Sequence, residues 1–212
     1  MADIDHRQTR RSYTRASLRR ADLSADPLEQ LDRWLQDAAD QPDATAMVLA
    51  TADARGQPSA RAVLLKHVDH RGLCWYSSDD SPKGRQLAEN PAAALLFFWA
   101  ALERQIRVEG RVERLPEAEA EAYFHSRPRE SRLAAAASRQ SAPIDSRQAL
   151  EQRLEAVRQR HPEGPVPRPA AWIGYRLVPE RLEFWQGREN RLHDRFLYTR
   201  SPDGWEIQRL MP

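Results

Sequence analysis

Apolar residues three and four apart mark the first clear element. Leu28, Leu31, Trp34 and Leu35 share a helical face, after an N-cap at Asp26 and a proline at the first helical position, Pro27. This pattern predicts a helix from Pro27 that ends near Pro42. Period two then takes over. Ala46–Thr51, Ser59–Val68 and Leu73–Ser77 read as an antiparallel meander with turns at 54–56 and 69–72. Ser81 caps a short helix that Pro91 stops. Ala93–Trp99, a continuous apolar run, predicts a fully buried strand. Glu103–Leu115 alternates, with Glu103, Gln105, Arg107 and Glu109 on one face.

Helical spacing returns at Pro116–Ser126 and at Ser146–His161, the latter with Leu150, Leu154 and Val157 inward. A proline-rich link over 162–169 leads to Trp172–Val178, a hairpin over 183–196 and a last strand Trp205–Leu210. Many short strands with helices between them and at the ends predict an α+β domain on a closed or nearly closed antiparallel barrel, spanning 25–212. Residues 1–24 are polar and rich in arginine, and read as a mobile arm.

Composition narrows the classes. The 33 basic and 31 acidic residues leave a formal net charge of +2, which argues against a nucleic-acid partner even with the basic arm. One cysteine, Cys74, rules out an intramolecular disulfide and suits a reducing cytoplasm; its apolar neighbours mark it as a small buried hydrophobe. No apolar run reaches the ~18–20 residues of a membrane span, so a soluble cytoplasmic protein is expected. His67 and His70 flank a turn, but no further ligand set completes a metal site with recognisable spacing. Nucleotide-binding and nucleophile-elbow glycine motifs are absent from the sequence.

Three stretches carry candidate chemistry. If 191–197 is extended, Arg191, His193 and Arg195 share one face, with Leu192, Asp194 and Phe196 on the other, and Trp185 on the preceding strand adds an aromatic wall. Two guanidinium groups around an imidazole suit an anionic, planar ligand. The chain's only lysines are Lys66 and Lys83, and Lys83 lies in the first turn of the helix that Ser81 caps, where free amides favour a phosphate. Tyr123, Arg127 and Ser131 lie roughly on one side if the helix resumes after Pro128.

The run Phe184-Trp185-Gln186-Gly187 followed by Arg191-Leu192-His193-Asp194-Arg195-Phe196 resembles the C-terminal signature of the pyridoxine/pyridoxamine 5′-phosphate oxidases, and the likeness covers nearly the whole chain. It implies an FMN-binding split β-barrel, antiparallel and Greek-key-like with peripheral helices, and a homodimer with FMN at the interface. The implied reaction oxidises pyridoxine or pyridoxamine 5′-phosphate to pyridoxal 5′-phosphate, with O2 as acceptor and H2O2 as product. On the resemblance, Lys66, Tyr123, Arg127 and Ser131 hold the substrate phosphate, and Arg191 and His193 face the reacting end of the ring. Arg10, Arg11 and Tyr13 fold over the substrate as a lid. Arg61, Lys66, Tyr76, Ser77, Lys83, Gln105, Gln140, Ser141, Trp185 and Arg195 belong to the FMN site.

Simple alternation puts Arg61 and Lys66 on opposite faces of one strand, so a bulge or separate contacts at its ends must be supposed. Two departures stand out. Pro82 replaces the arginine of a Ser-Arg-Lys pattern, with Arg85 the nearest residue to compensate, and Ala134–Ala137 stand where a Gly-Ala-Trp run is implied. The rival from another class is a non-catalytic carrier of pyridoxal phosphate or flavin on the same barrel.

Overall fold

The computed structural model describes residues 12–212. Arg10 and Arg11 lie outside the described residues. Five α-helices and nine strands follow in the order β1 Ala46–Ala52, β2 Pro58–Leu64, β3 His67–Asp69, β4 Gly72–Ser78, β5 Ala92–Trp99, β6 Arg104–Arg114, β7 Trp172–Gln186, β8 Asp194–Ser201 and β9 Gly204–Leu210. The helices are α1 Pro27–Asp37, α2 Pro82–Glu89, α3 Glu117–Ser126, α4 Arg129–Ala137 and α5 Arg147–Arg160. Strand order is β2-β1-β5-β6-β7-β4-β3, with β8 on β7 and β9 on β8. The pairs β1–β2, β3–β4, β4–β7, β7–β8 and β8–β9 are antiparallel. Among the described residues no helix is long and apolar enough to cross a membrane.

The chain forms two compact units interleaved in sequence, and β5, β6 and β7 each run from one into the other. The first gathers the described part of Met1–Ala44 with Leu96–Val108 and Arg181–Pro212. Here the Asp26 carboxylate accepts from the Leu28 amide, and α1 buries Leu31 and Trp34. The Trp34 ring meets Phe184 edge-on at 5.2 Å, and the Arg104 guanidinium lies 4.4 Å over the Trp34 ring while pairing with Asp37 at 2.6 Å. Each such buried aromatic contributes roughly 1.5–3 kcal/mol. The helix ends at Asp37, before Pro42, as the chain turns toward β1. Residues 12–24 do not hang free: Leu18 and Leu23 are buried, the Leu18 amide donates to Asp194, and Tyr198 donates its hydroxyl to the Ser24 carbonyl.

The second unit comprises Thr45–Leu95 and Glu109–Glu180. Trp75 stacks on Tyr175, and the buried Arg176 is neutralised by Asp69 and Glu113. Ser146 caps α5 through the Ala149 amide. Leu133, Ala137, Val157 and Val166 form a small core between α4 and α5, with Leu154 packed against it.

Four expectations are corrected. The run 59–68 is two strands, because the Leu65 amide turns to the Thr45 carbonyl and the Lys66 amide to Cys74. The apolar strand β5 is not fully buried, since Phe98 is 55% exposed. Glu103 precedes β6 in a left-handed conformation (φ 55°) rather than starting the alternation. Leu150, read as inward, is 41% exposed.

Candidate functional site

Within the second unit the break after β2 has a chemical consequence. Arg61 and Lys66 line one cavity of about 630 Å3, the convergence that an unbroken strand forbids. Tyr76, Ser77, Lys83, Gln140 and Ser141 line it too, as do Tyr123, Arg127 and Ser131. The helix does resume after Pro128, as α4, which brings these last three together. Trp172 completes the wall. Its indole stacks on Tyr76 at 5.2 Å and lies 5.1 Å beneath the Arg127 guanidinium, while Tyr76 stacks on Tyr123 at 4.1 Å. Nothing in the local sequence marks Trp172, because the pairing of Ser78 with Trp172 across β4 and β7 delivers it.

The cations of this cavity fall into two kinds. Arg61 donates to Thr51 Oγ1 at 2.6 Å, to the Leu49 carbonyl and to Gln86, and burial lowers its pKa. Lys83 is 7% exposed and donates to Ser81 Oγ at 3.1 Å and Gln140 Oε1 at 2.7 Å. Burial first, then the Arg61 charge, pushes its pKa down to about 8. The same Gln140 oxygen accepts from Ser77 Oγ at 3.0 Å, so it ties the 138–141 loop to β4 and α2. Helix α2 sits tight on that end of β4: a Cβ on Gly84 would lie 2.1 Å from the Asp79 carbonyl oxygen.

The second kind lacks hydrogen-bonding partners among the described residues. Among the described residues the Lys66 ammonium, the Tyr123 hydroxyl, the Arg127 guanidinium and the Ser131 hydroxyl make no hydrogen bond or ion pair, and Arg127 Nη1 is buried and unsatisfied. Such a donor costs roughly 1–3 kcal/mol unless something accepts from it. Burial lowers the Arg127 pKa, the response of a cation prepared for a counter-charge. Two cations and two hydroxyls with free donors around one cavity match a phosphate monoester.

His67, Asp69 and Cys74, near β3, place ligand-type atoms within 4.8 Å of one another. Asp69 is already bound by Arg176 and by the Arg71 and Gly72 amides. Burial, with Asp69, pushes the Cys74 thiol up to about 11, so it stays protonated.

In the first unit Trp185, Arg191, His193 and Arg195 do cluster, but not by strand alternation. Strand β8 begins only at Asp194; Glu189–Arg191 is a 3-10 turn in which Asn190 and Arg191 are left-handed (φ 54° and 61°). Leu192, expected on the face opposite His193 together with Phe196, is 69% exposed whereas Phe196 is buried. His193 packs 4.7 Å from Trp185, and its Nδ1 accepts from the Arg188 amide at 3.1 Å, which leaves Nε2 as the exchangeable position. Burial, then Arg191 and Arg195, lowers the His193 pKa, favouring the neutral ring. Arg195 is engaged by Glu183 at 2.7 Å and by the Met211 carbonyl at 2.8 Å. Arg191 is exposed, and Gln105 is half-buried on β6. Tyr13 meets both Trp185 and His193 edge-on, at 5.7 and 5.8 Å.

Comparison with known proteins agrees across the chain. A sequence profile of the pyridoxamine 5′-phosphate oxidase family matches residues 32–161, and one for the pyridoxine 5′-phosphate oxidase C-terminal dimerisation region matches residues 172–212. A pyridoxine/pyridoxamine 5′-phosphate oxidase of Rubrobacter xylanophilus is 53% identical over 205 residues, covering 96% of this chain and 94% of that protein. The crystal structure of PhzG from Burkholderia lata, in complex with tetrahydrophenazine-1-carboxylic acid, superposes with a TM-score of 0.86 at 32% identity, over 91% of this chain and 95% of that one. A pyridoxamine 5′-phosphate oxidase-related, FMN-binding protein of Nostoc punctiforme shares the fold, with a TM-score of 0.73 at 18% identity over 90% of this chain and 100% of that one.

Proposed function

Because the chain belongs to the pyridoxamine 5′-phosphate oxidase family and carries its FMN-binding split-barrel fold, we propose that it oxidises pyridoxine and pyridoxamine 5′-phosphates to pyridoxal 5′-phosphate. The cofactor is FMN. When bound, FMN supplies the acceptance of two electrons and their delivery to dioxygen. The alcohol substrate loses two electrons and two protons, recovered as hydrogen peroxide; the amine substrate also takes up water and releases ammonia.

One observation carries this reading: Lys66, Tyr123, Arg127 and Ser131 surround a cavity with their donors unpaired, which suits the phosphate that both substrates share. Anchoring it there converts binding energy into orientation of the reacting carbon. Arg61, Ser77, Lys83, Gln140 and Ser141 form a second polar set on the same cavity and fit the terminal phosphate of FMN. The family resemblance alone adds Tyr76, Gln105, Trp185 and Arg195 as further FMN contacts. Arg191 and His193 are assigned to the reacting end of the substrate, where the neutral imidazole, its Nδ1 held by the Arg188 amide, presents an Nε2–H that can donate to the substrate. Arg10, Arg11 and Tyr13 belong, on this reading, to the segment that covers the substrate. The match of residues 172–212 to a dimerisation region supports a homodimer, and on this reading FMN lies at its interface. A single buried cysteine suits the reducing cytoplasm.

The purified protein is expected to be yellow and to release FMN, identified by mass, on heating. In an oxygen electrode it is expected to consume O2 with either phosphate and to form pyridoxal 5′-phosphate in equal amount. Binding of pyridoxal phosphate without oxygen uptake would instead identify the carrier.

A further inference from the structure

A second cavity, of about 840 Å3, adjoins the anion cavity and shares Tyr76, Ser77, Arg127, Ser131, Gln140 and Trp172 with it. Its character is different. Away from the shared wall it is lined by the successive alanines Ala134–Ala137 of α4, by Leu150 and Leu154 of α5, by the 169–171 link, and at its polar rim by Ser78, Asp80, Ser138 and Arg139. The apolar stripe of α5 explains the shape. Val157 is buried in the small core and Leu154 packs against it, but Leu150 projects past that core and stays 41% exposed. Alanine methyls on α4 are too short to cover it. The space is therefore bounded by apolar side chains on one side and by the stacked rings of Trp172 and Tyr76 on another, with Arg127 at the junction. Concave apolar walls with a few convergent polar groups are the general form of a ligand pocket.

We infer that this cavity is an annex of the anion site, and that it takes a flat apolar ring system wider than one six-membered ring, carried by a ligand whose anion sits on Arg127 and Ser131. The inference rests on the reading of Arg127 and Ser131 as anion ligands and extends it: a single ring held by its phosphate leaves the alanine wall uncovered, whereas a fused ring removes that wall and Leu150 from water. The annex thus sets the range of aromatic anions the protein admits.

The test uses FMN-saturated protein and three probes: inorganic phosphate, phenyl phosphate and 1-naphthyl phosphate, with dissociation constants from calorimetric titration. Naphthyl phosphate is expected to bind about five- to tenfold more tightly than phenyl phosphate, the effect of burying one further fused ring. Filling the annex with Ala136→Trp is expected to remove that preference while phenyl phosphate still binds. Ala135→Leu, a smaller change on the same wall, guards against misfolding of the first variant and is expected to reduce the preference. Equal affinity of the two aryl phosphates in the parent, or a preference that survives both variants, overturns the annex. Failure of phenyl and inorganic phosphate alike to bind the parent overturns the anion-site reading itself, and the annex with it.

Discussion

The ring of Tyr13 occupies the space that a side chain at Gly187 would need: a Cβ built there would stand 2.7 Å from Tyr13 Cγ. The Gly187 amide is meanwhile fixed by a 2.7 Å bond to the Glu103 carbonyl, and the Arg15 amide donates to the Glu103 carboxylate. An N-terminal residue is thereby fitted to the turn that follows β7, edge-on to Trp185 and His193.

Gly187→Ala is therefore expected to destabilise the protein by about 1–3 kcal/mol, the usual cost of overpacking, and to change Trp185 fluorescence. In a Tyr13→Ala background the same substitution should cost far less. Urea unfolding of the four proteins in this cycle measures the coupling, and additive effects would show that the ring and the glycine are not matched.

Arg127 makes no hydrogen bond among the described residues and has a buried, unsatisfied Nη1. Arg127→Met should raise KM for both phosphorylated substrates about ten- to a hundredfold, given ~1.5–3 kcal/mol for a charge-assisted contact, with FMN retained. Steady-state kinetics with flavin content measured in parallel checks this; an unchanged KM removes Arg127 from the phosphate site.

Burial, and then the Arg61 charge, push the Lys83 pKa down to about 8. A phosphate dianion favours the ammonium, so FMN binding takes up a proton wherever the free protein has lost one. Below about pH 8 the charge is already present and affinity is flat; above it, affinity falls by up to about tenfold per pH unit. Flavin fluorescence titrations at about pH 7 and pH 9 should show this slope in the parent and not in Lys83→Met, which should also bind FMN more weakly throughout. A slope common to both proteins assigns the titration elsewhere.

Arg191 is exposed at a left-handed position, so its conformation is set by the turn rather than by burial. Arg191→Met is expected to lower kcat and kcat/KM together while flavin stays bound, the signature of an interaction made chiefly in the transition state. Normal turnover would overturn its assignment to the reacting end.

Pro82 places no cation at the start of α2, and Arg85, the arginine nearest to it in that helix, donates to the Asp80 carbonyl while lining a cavity of about 440 Å3 with Pro82, Gln140 and Ser141. Pro82→Arg should tighten FMN about tenfold or more, from one added charge-assisted contact, and Arg85→Ala should weaken it measurably. Unchanged FMN affinity in both variants places the phosphate away from this helix end.

What the sequence by itself determined is what residues close in the chain decide. Asp26 with Pro27 and Ser81 with Pro82 start α1 and α2 because an N-cap side chain acts on amides two or three residues ahead. The alternation of β6 is equally local. Tyr123, Arg127 and Ser131 share one side in the sequence only on condition that a helix resumes after Pro128, and α4 meets that condition. Tertiary structure alone decided the rest. Arg61 and Lys66 share a cavity because the strand breaks where the Leu65 and Lys66 amides find Thr45 and Cys74, partners that no window around 65 contains. Trp172 joins the site through its register with Ser78, and Arg191 leaves the expected strand because Asn190 and Arg191 turn left-handed, a conformation that the alternating pattern of 191–197 does not encode. Phe98 and Leu150 are apolar yet exposed for the same reason: hydrophobicity drives burial, but the packing of distant segments decides which apolar residues find cover.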